Sequence, residues 1–94
     1  MKTIWKQELI AGVGKQTFRL PHDSHILYLA MQDSVPCIWF LTDPESEPCD
    51  WTFTTVGTGH YIENYGLEDD LNLDYIGSYQ FEGFVGHVFT TWEY

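Results

Sequence analysis

What most constrains this chain is the recurrence of turn-forming residues, which cut it into runs of strand length. "AGVGK" (Ala11–Lys15), Pro21, "DSVP" (33–36), "DPESEP" (Asp43–Pro48), "VGTGH" (Val56–His60) and "EG" (Glu82–Gly83) punctuate it from end to end. Glycine allows positive φ, proline presets φ, and Asp, Asn and Ser hydrogen-bond their own backbone, so clusters of these residues turn a chain. Between them lie Thr3–Leu9, Gln16–Leu20, Ser24–Gln32, Cys37–Thr42, Asp50–Val56, Tyr75–Phe81 and Phe84–Trp92, all apolar or alternating and all reading as strands. Four Trp, six Tyr and six Phe in 94 residues agree with that, because aromatic rings fit a pleated surface. The expectation is an all-β, mostly antiparallel fold: one domain over residues 1–94, a small β-sandwich or flattened barrel of about seven strands.

The pattern inside the runs adds detail. Ser24–Gln32 and Cys37–Thr42 are apolar on both faces, as in central strands covered from both sides. Asp50–Val56 alternates, with Trp51, Phe53 and Thr55 facing inward and Thr52, Thr54 and Val56 outward to water. Tyr75, Tyr79 and Phe81 are expected to join that inner layer. Glycines at 77 and 86, inside a hairpin closed by Glu82–Gly83, predict a bulge or a close backbone approach. Leu67, Leu71 and Asp74 stand at helical spacing and allow at most one short helical turn. The C-terminal "TTWEY" reads as an edge strand, a place where a second copy of the chain could pair.

No apolar stretch approaches the ~20 residues of a membrane-spanning helix. "MKTIWKQELI" alternates polar and apolar residues and lacks the continuous apolar run of a leader. A soluble protein of the cell interior is therefore expected. Two cysteines are too few for a disulfide framework. If Pro36–Thr42 and Asp50–Val56 paired as a hairpin, Cys37 and Cys49 would lie roughly 20 Å apart at ~3.3 Å per residue, whereas a disulfide needs Cα atoms within ~7 Å. Both thiols are expected to be free.

The net charge is −10 and strongly segregated. Lys2, Lys6, Lys15 and Arg19 are the only Lys and Arg, so the first 19 residues sum to +3 and the remaining 75 to −13. Such a chain repels nucleic acid, whose affinity comes from phosphate neutralisation, and repels anionic membranes. It favours a partner protein with a basic surface and fast, salt-sensitive association. Two acidic segments are candidates for that contact: Asp43, Glu45, Glu47 and Asp50 in one, and Glu63, Glu68, Asp69, Asp70 and Asp74 in the other.

Chemistry-bearing motifs are few. "VGTGH" is not a phosphate loop, since no Lys-Ser/Thr follows, and not a dinucleotide fingerprint, since the third glycine and the helix are missing. What remains is a turn whose Gly57, Thr58, Gly59 and His60 could form a backbone nest for an anion or small ligand, or simply end a strand. His22 and His25 lack a third and fourth ligand at metal-site spacing, so neither a metal nor a cofactor is expected. His87 shares a strand face with Val85 and Phe89, which points to a buried, hydrogen-bonded ring. Cys37, at the head of an apolar strand in an acidic chain, is poorly placed to become a thiolate nucleophile. No residues are singled out as catalytic, and a non-enzymatic protein is expected.

Taken in order, "IWKQEL", "VPCIWFL", "VGTGH", "YIGSYQ" and "HVF" resemble a family of small proteins of unknown function encoded mainly by bacteriophages and prophages. The acidic run "YIENYGLEDDLNLD" looks longer than that family's usual spacing. The resemblance implies a phage accessory protein acting in the cytoplasm of a bacterial host. Such proteins are similar in character to inhibitors of host defence, anti-CRISPR proteins included. The function expected from charge and resemblance together is binding and inhibition of a host protein through an acidic surface. A nucleotide-sequestering protein using the GTGH turn and a minor virion component are the alternatives.

Overall fold

A computed structural model describes residues 1–67 and 73–93, with only the backbone of Glu93. Seven strands form two antiparallel sheets. One holds β1 (Thr3–Glu8), β4 (Val35–Thr42) and β3 (Ser24–Gln32), in the order β1-β4-β3. The other holds β2 (Gly14–Pro21), β5 (Pro48–Gly57), β7 (Phe84–Glu93) and β6 (Asp74–Phe81), in the order β2-β5-β7-β6. The principal extents, 40 × 34 × 16 Å, describe a slab two sheets deep, since stacked sheets lie ~10 Å apart. The all-β sandwich expected from the spacing of turns is the fold.

Two hairpins show how local sequence sets the register. β3 turns into β4 through Asp33 and Ser34, at φ 52° and 68°. β6 turns into β7 through Glu82 and Gly83, at φ 47° and 82°, and Phe81 pairs with Phe84. Two central residues at positive φ match the right-handed twist of the flanking strands.

The core lies between the sheets. Ile38 and Phe40 on β4 face Trp51, Phe53 and Val88 from β5 and β7, with Leu20, Leu29, Cys49 and Tyr79 around them. Gly77 on β6 lies against β3, where a Cβ would come 3.5 Å from Leu29 Cδ2. The slab is thus closed along its β3–β6 side.

Several expectations need correction. β4 and β5 are not a hairpin: β4 pairs with β1 and β3, and β5 with β2 and β7. The segment between them crosses from one sheet to the other, as the proline-bearing loop permits. β3 is an edge strand rather than a central one; Leu27 and Tyr28 on it are exposed, and Tyr28 rests on Trp39 at 6.4 Å. β7 is interior, paired with both β5 and β6, and Tyr94 lies outside the described residues. The register shift between Tyr75 and Gly77 puts Tyr75 opposite Phe89 on the outer face, while Tyr79 and Phe81 stay with the core.

The outer face of β5 is not wet either. Thr54 and Val56 are buried, because the chain after β5 folds back as a 3₁₀ turn (Ile62–Tyr65) against β5. Leu67 is buried in that segment. The helical turn anticipated over 67–74 falls mostly outside the described residues.

Candidate functional site

One end of the slab gathers two of the three sheet-crossing connections, and with them most of the described carboxylates. The link from β2 to β3 (residues 21–24) and the loop from β4 to β5 (43–47) run side by side. Their ties are backbone bonds from His22 N to Glu47 O at 2.8 Å and from Asp43 N to Asp23 O at 3.0 Å. The Ser46 hydroxyl adds two more, accepting from Asp23 N at 3.1 Å and donating to Asp43 O at 2.9 Å. The His22 ring contacts the same Glu47 carbonyl at 3.0 Å. Beneath them the Ser24 hydroxyl donates to Pro21 O at 2.6 Å and meets Thr42 Oγ1 at 2.7 Å. A proline- and acid-rich loop without secondary structure is thereby held in one shape.

This framework displays Asp43, Glu45, Glu47 and Asp50, and the start of β6 adds Asp74. Asp50 pairs with Arg19 at 3.3 Å and Asp23 with Lys2 at 3.4 Å. The Asp43 carboxylate accepts from Glu45 N at 3.1 Å. Glu45, Glu47 and Asp74 have no ion-pair partner among the described residues. Of the second acidic segment, Asp74 stands at the start of β6 and lines a cleft with Ser24 and Trp51, at the same end of the slab as the 43–50 loop. Glu63 sits in the 3₁₀ turn beyond the other end of β5. Glu68, Asp69 and Asp70 lie outside the described residues.

Beside these acids, at the mouth of the slab, is a cleft of about 310 Å³. Its walls include Ser24 and His25 from β3, Asp74 and Ile76 from β6, and Trp51 and Trp92 from β5 and β7. The two indoles are register partners, stacked with centroids 5.9 Å apart and planes at 28°. Trp51 is buried, whereas Trp92 remains 41% exposed. The Trp51 indole nitrogen is enclosed without a hydrogen-bond partner; the Cys49 sulfur it approaches is at best a weak acceptor. Sequence reading placed Trp92 on an outer edge and missed this cleft, because the pairing of β5 with β7 is a long-range choice that alternation does not reveal.

The GTGH turn sits at the opposite end of β5, and its groups bond within the protein. His60 N donates to Gly57 O at 3.0 Å, and Gly59 takes φ 86°, as the third residue of a type II turn does. The His60 ring folds over Gly57, where a Cβ would meet it at 2.9 Å. It stacks on Tyr65 at 17° and its Nδ1 lies 2.8 Å from the Tyr65 hydroxyl. Thr58 Oγ1 lies 2.7 Å from His87 Nε2, and Tyr75 Oη lies 3.2 Å from His87 Nδ1. His87 is half-buried in this chain of polar groups on the outer face, not sealed in the core. Gly57, Thr58, Gly59 and His60 thus form one turn, but the Thr58 and His60 side chains are already engaged with His87 and Tyr65.

Cys37 and Cys49 are both buried and free. Burial pushes both thiols up, with smaller opposing effects from Lys6 at Cys37 and Arg19 at Cys49. Among the described residues no three His, Cys, Asp or Glu side chains are grouped to hold a metal ion, and no helix is long and apolar enough to cross a membrane.

A family described as "Domain of unknown function (DUF7352)" matches residues 1–94. No curated protein and no solved structure gives a match.

Proposed function

We propose that this chain, which belongs to the DUF7352 family, is a non-enzymatic binding protein that inhibits a host protein carrying a basic surface, with the acidic end of the slab as its contact. The observation that carries this reading is the set of carboxylates at that end, Glu45 and Glu47 on the hydrogen-bonded loop and Asp74 at the start of β6, none with an ion-pair partner among the described residues and all beside a partly exposed tryptophan. Fixed like charges accelerate encounter with an oppositely charged face. A large aromatic beside them supplies the desolvated anchor on which interfaces depend. If the phage or prophage setting drawn from the motifs holds, a bacterial defence component is the target class, since a groove built for nucleic acid is basic. The alternative, sequestering a nucleotide at Gly57–His60, would need to displace the Thr58–His87 and His60–Tyr65 contacts and draw phosphate to a chain of net charge −10.

The test is a pull-down from bacterial lysate at rising salt, with the native chain and a Glu45→Lys/Glu47→Lys variant. One basic protein should be retained at low salt and lost as ionic strength rises. The variant should bind it about tenfold more weakly, equivalent to about 1.4 kcal/mol, with a shallower salt dependence. A stoichiometric partner indifferent to both salt and the charge reversal would refute the reading.

A further inference from the structure

We infer that the cleft between β3 and the β6–β7 ladder is a receptor for an arginine side chain, so that the partner presents at least one arginine at its contact. This rests on the acidic end being the partner-binding surface. Asp74 is the register partner of Thr90, and Trp92 follows Thr90 by two residues on the same face of β7. The carboxylate-bearing and indole-bearing positions are therefore diagonal neighbours on adjacent strands, about 7–8 Å apart. Thr90 is buried, so Asp74 occupies an inward-register position at the mouth of the sandwich. Asp74 is itself exposed at that mouth, and its carboxylate has no ion pair or hydrogen bond among the described residues, so it is open to an incoming cation.

Trp92 stacks on Trp51 but keeps 41% of its surface exposed. A planar guanidinium stacks on an indole face and, in the same pose, forks toward a carboxylate, which an ammonium does not do. The cleft volume of about 310 Å³ accommodates one such side chain with its methylene stem against Ile76. An anionic occupant would face Asp74 and the unpaired Glu45 and Glu47. A neutral stacking ligand would make no use of the Asp74 carboxylate.

The experiment is NMR titration of the ¹⁵N-labelled full chain with acetyl-arginine amide. The control is acetyl-citrulline amide, which has nearly the same shape and no charge, at matched ionic strength. Arginine amide should give saturable shifts at the Trp51 and Trp92 indoles and at the Ile76 and Thr90 amides. Citrulline amide should not. Asp74→Asn should weaken the arginine response about tenfold while leaving the rest of the spectrum in place. Equal responses to both probes would overturn the inference in favour of a neutral stacking ligand. Shifts at Glu45 and Glu47 without the indoles would overturn it in favour of diffuse counter-ion binding. The same variants separate this inference from the broader reading. If Glu45→Lys/Glu47→Lys abolishes capture of a basic partner and Asp74→Asn does not, the arginine site is wrong and the acidic contact stands. If arginine saturates the cleft but no basic partner is captured, the site stands and the partner reading falls.

Discussion

Thr55 is fully buried on the core side of β5, opposite Val88, and its hydroxyl has no hydrogen-bond partner. An unmet buried hydroxyl carries a desolvation penalty of about 1–3 kcal/mol. Thr55→Val keeps the branched shape and removes that penalty, so it should stabilise the protein by about 1 kcal/mol. For a domain of this size that is a rise of roughly 4–8 °C in Tm. A calorimetric Tm equal to or below that of the native chain would mean the hydroxyl is satisfied by internal water. The inward position of Thr55 was legible from alternation alone; its lack of a partner was not, because that depends on what the other strands place around it.

At the scale of elements, the β6–β7 hairpin was the most legible part of the chain. Its turn at Glu82–Gly83 and its two interior glycines were readable as a tight connection with a bulge or a close approach, and the structure has both. The bulge is the register shift between Tyr75 and Gly77. The close approach is at Gly86, where a Cβ would lie 2.7 Å from Thr55 Cγ2, 2.9 Å from Phe84 Cε2 and 3.0 Å from Tyr79 Cζ. Gly86→Ala should destabilise by about 1–3 kcal/mol through overpacking. Because the nearest atom is a single methyl, adding Thr55→Ser should recover part of the loss. Chemical denaturation of the two single variants and the double variant checks this, and strict additivity would show that the Thr55 contact is not the cause. What the same segment did not reveal is that the bulge turns Tyr75 outward to His87: one extra residue reverses the face of every residue on one side of it.

At the scale of the whole molecule, 13 acids against no Lys or Arg after Arg19 create self-repulsion that folding concentrates. The described ion pairs lie at the surface, where such pairs contribute little, too little to offset it. Stability should therefore rise with ionic strength: Tm should climb by several degrees between dilute buffer and about 0.5 M sodium chloride, where the screening length falls to a few ångströms. A Tm that falls over that range would show that the Arg19–Asp50 and Lys2–Asp23 pairs outweigh the repulsion. The same repulsion bears on function, because a partner that neutralises Glu45, Glu47 and Asp74 would stabilise the fold as it binds.

The fold class, the strand positions and the tight hairpins are determined by the sequence itself, because turn residues and two-residue alternation act over a few neighbours. Free thiols also follow from the sequence, though through an incorrect pairing of β4 with β5. Which strands share a sheet is decided only by tertiary structure, because pairing joins residues far apart in the chain and alternation is blind to partner identity. That choice makes β3 an edge, takes β7 inside, covers Thr54 and Val56, and brings Asp74 beside Trp92 at the end where the 43–50 loop displays its carboxylates.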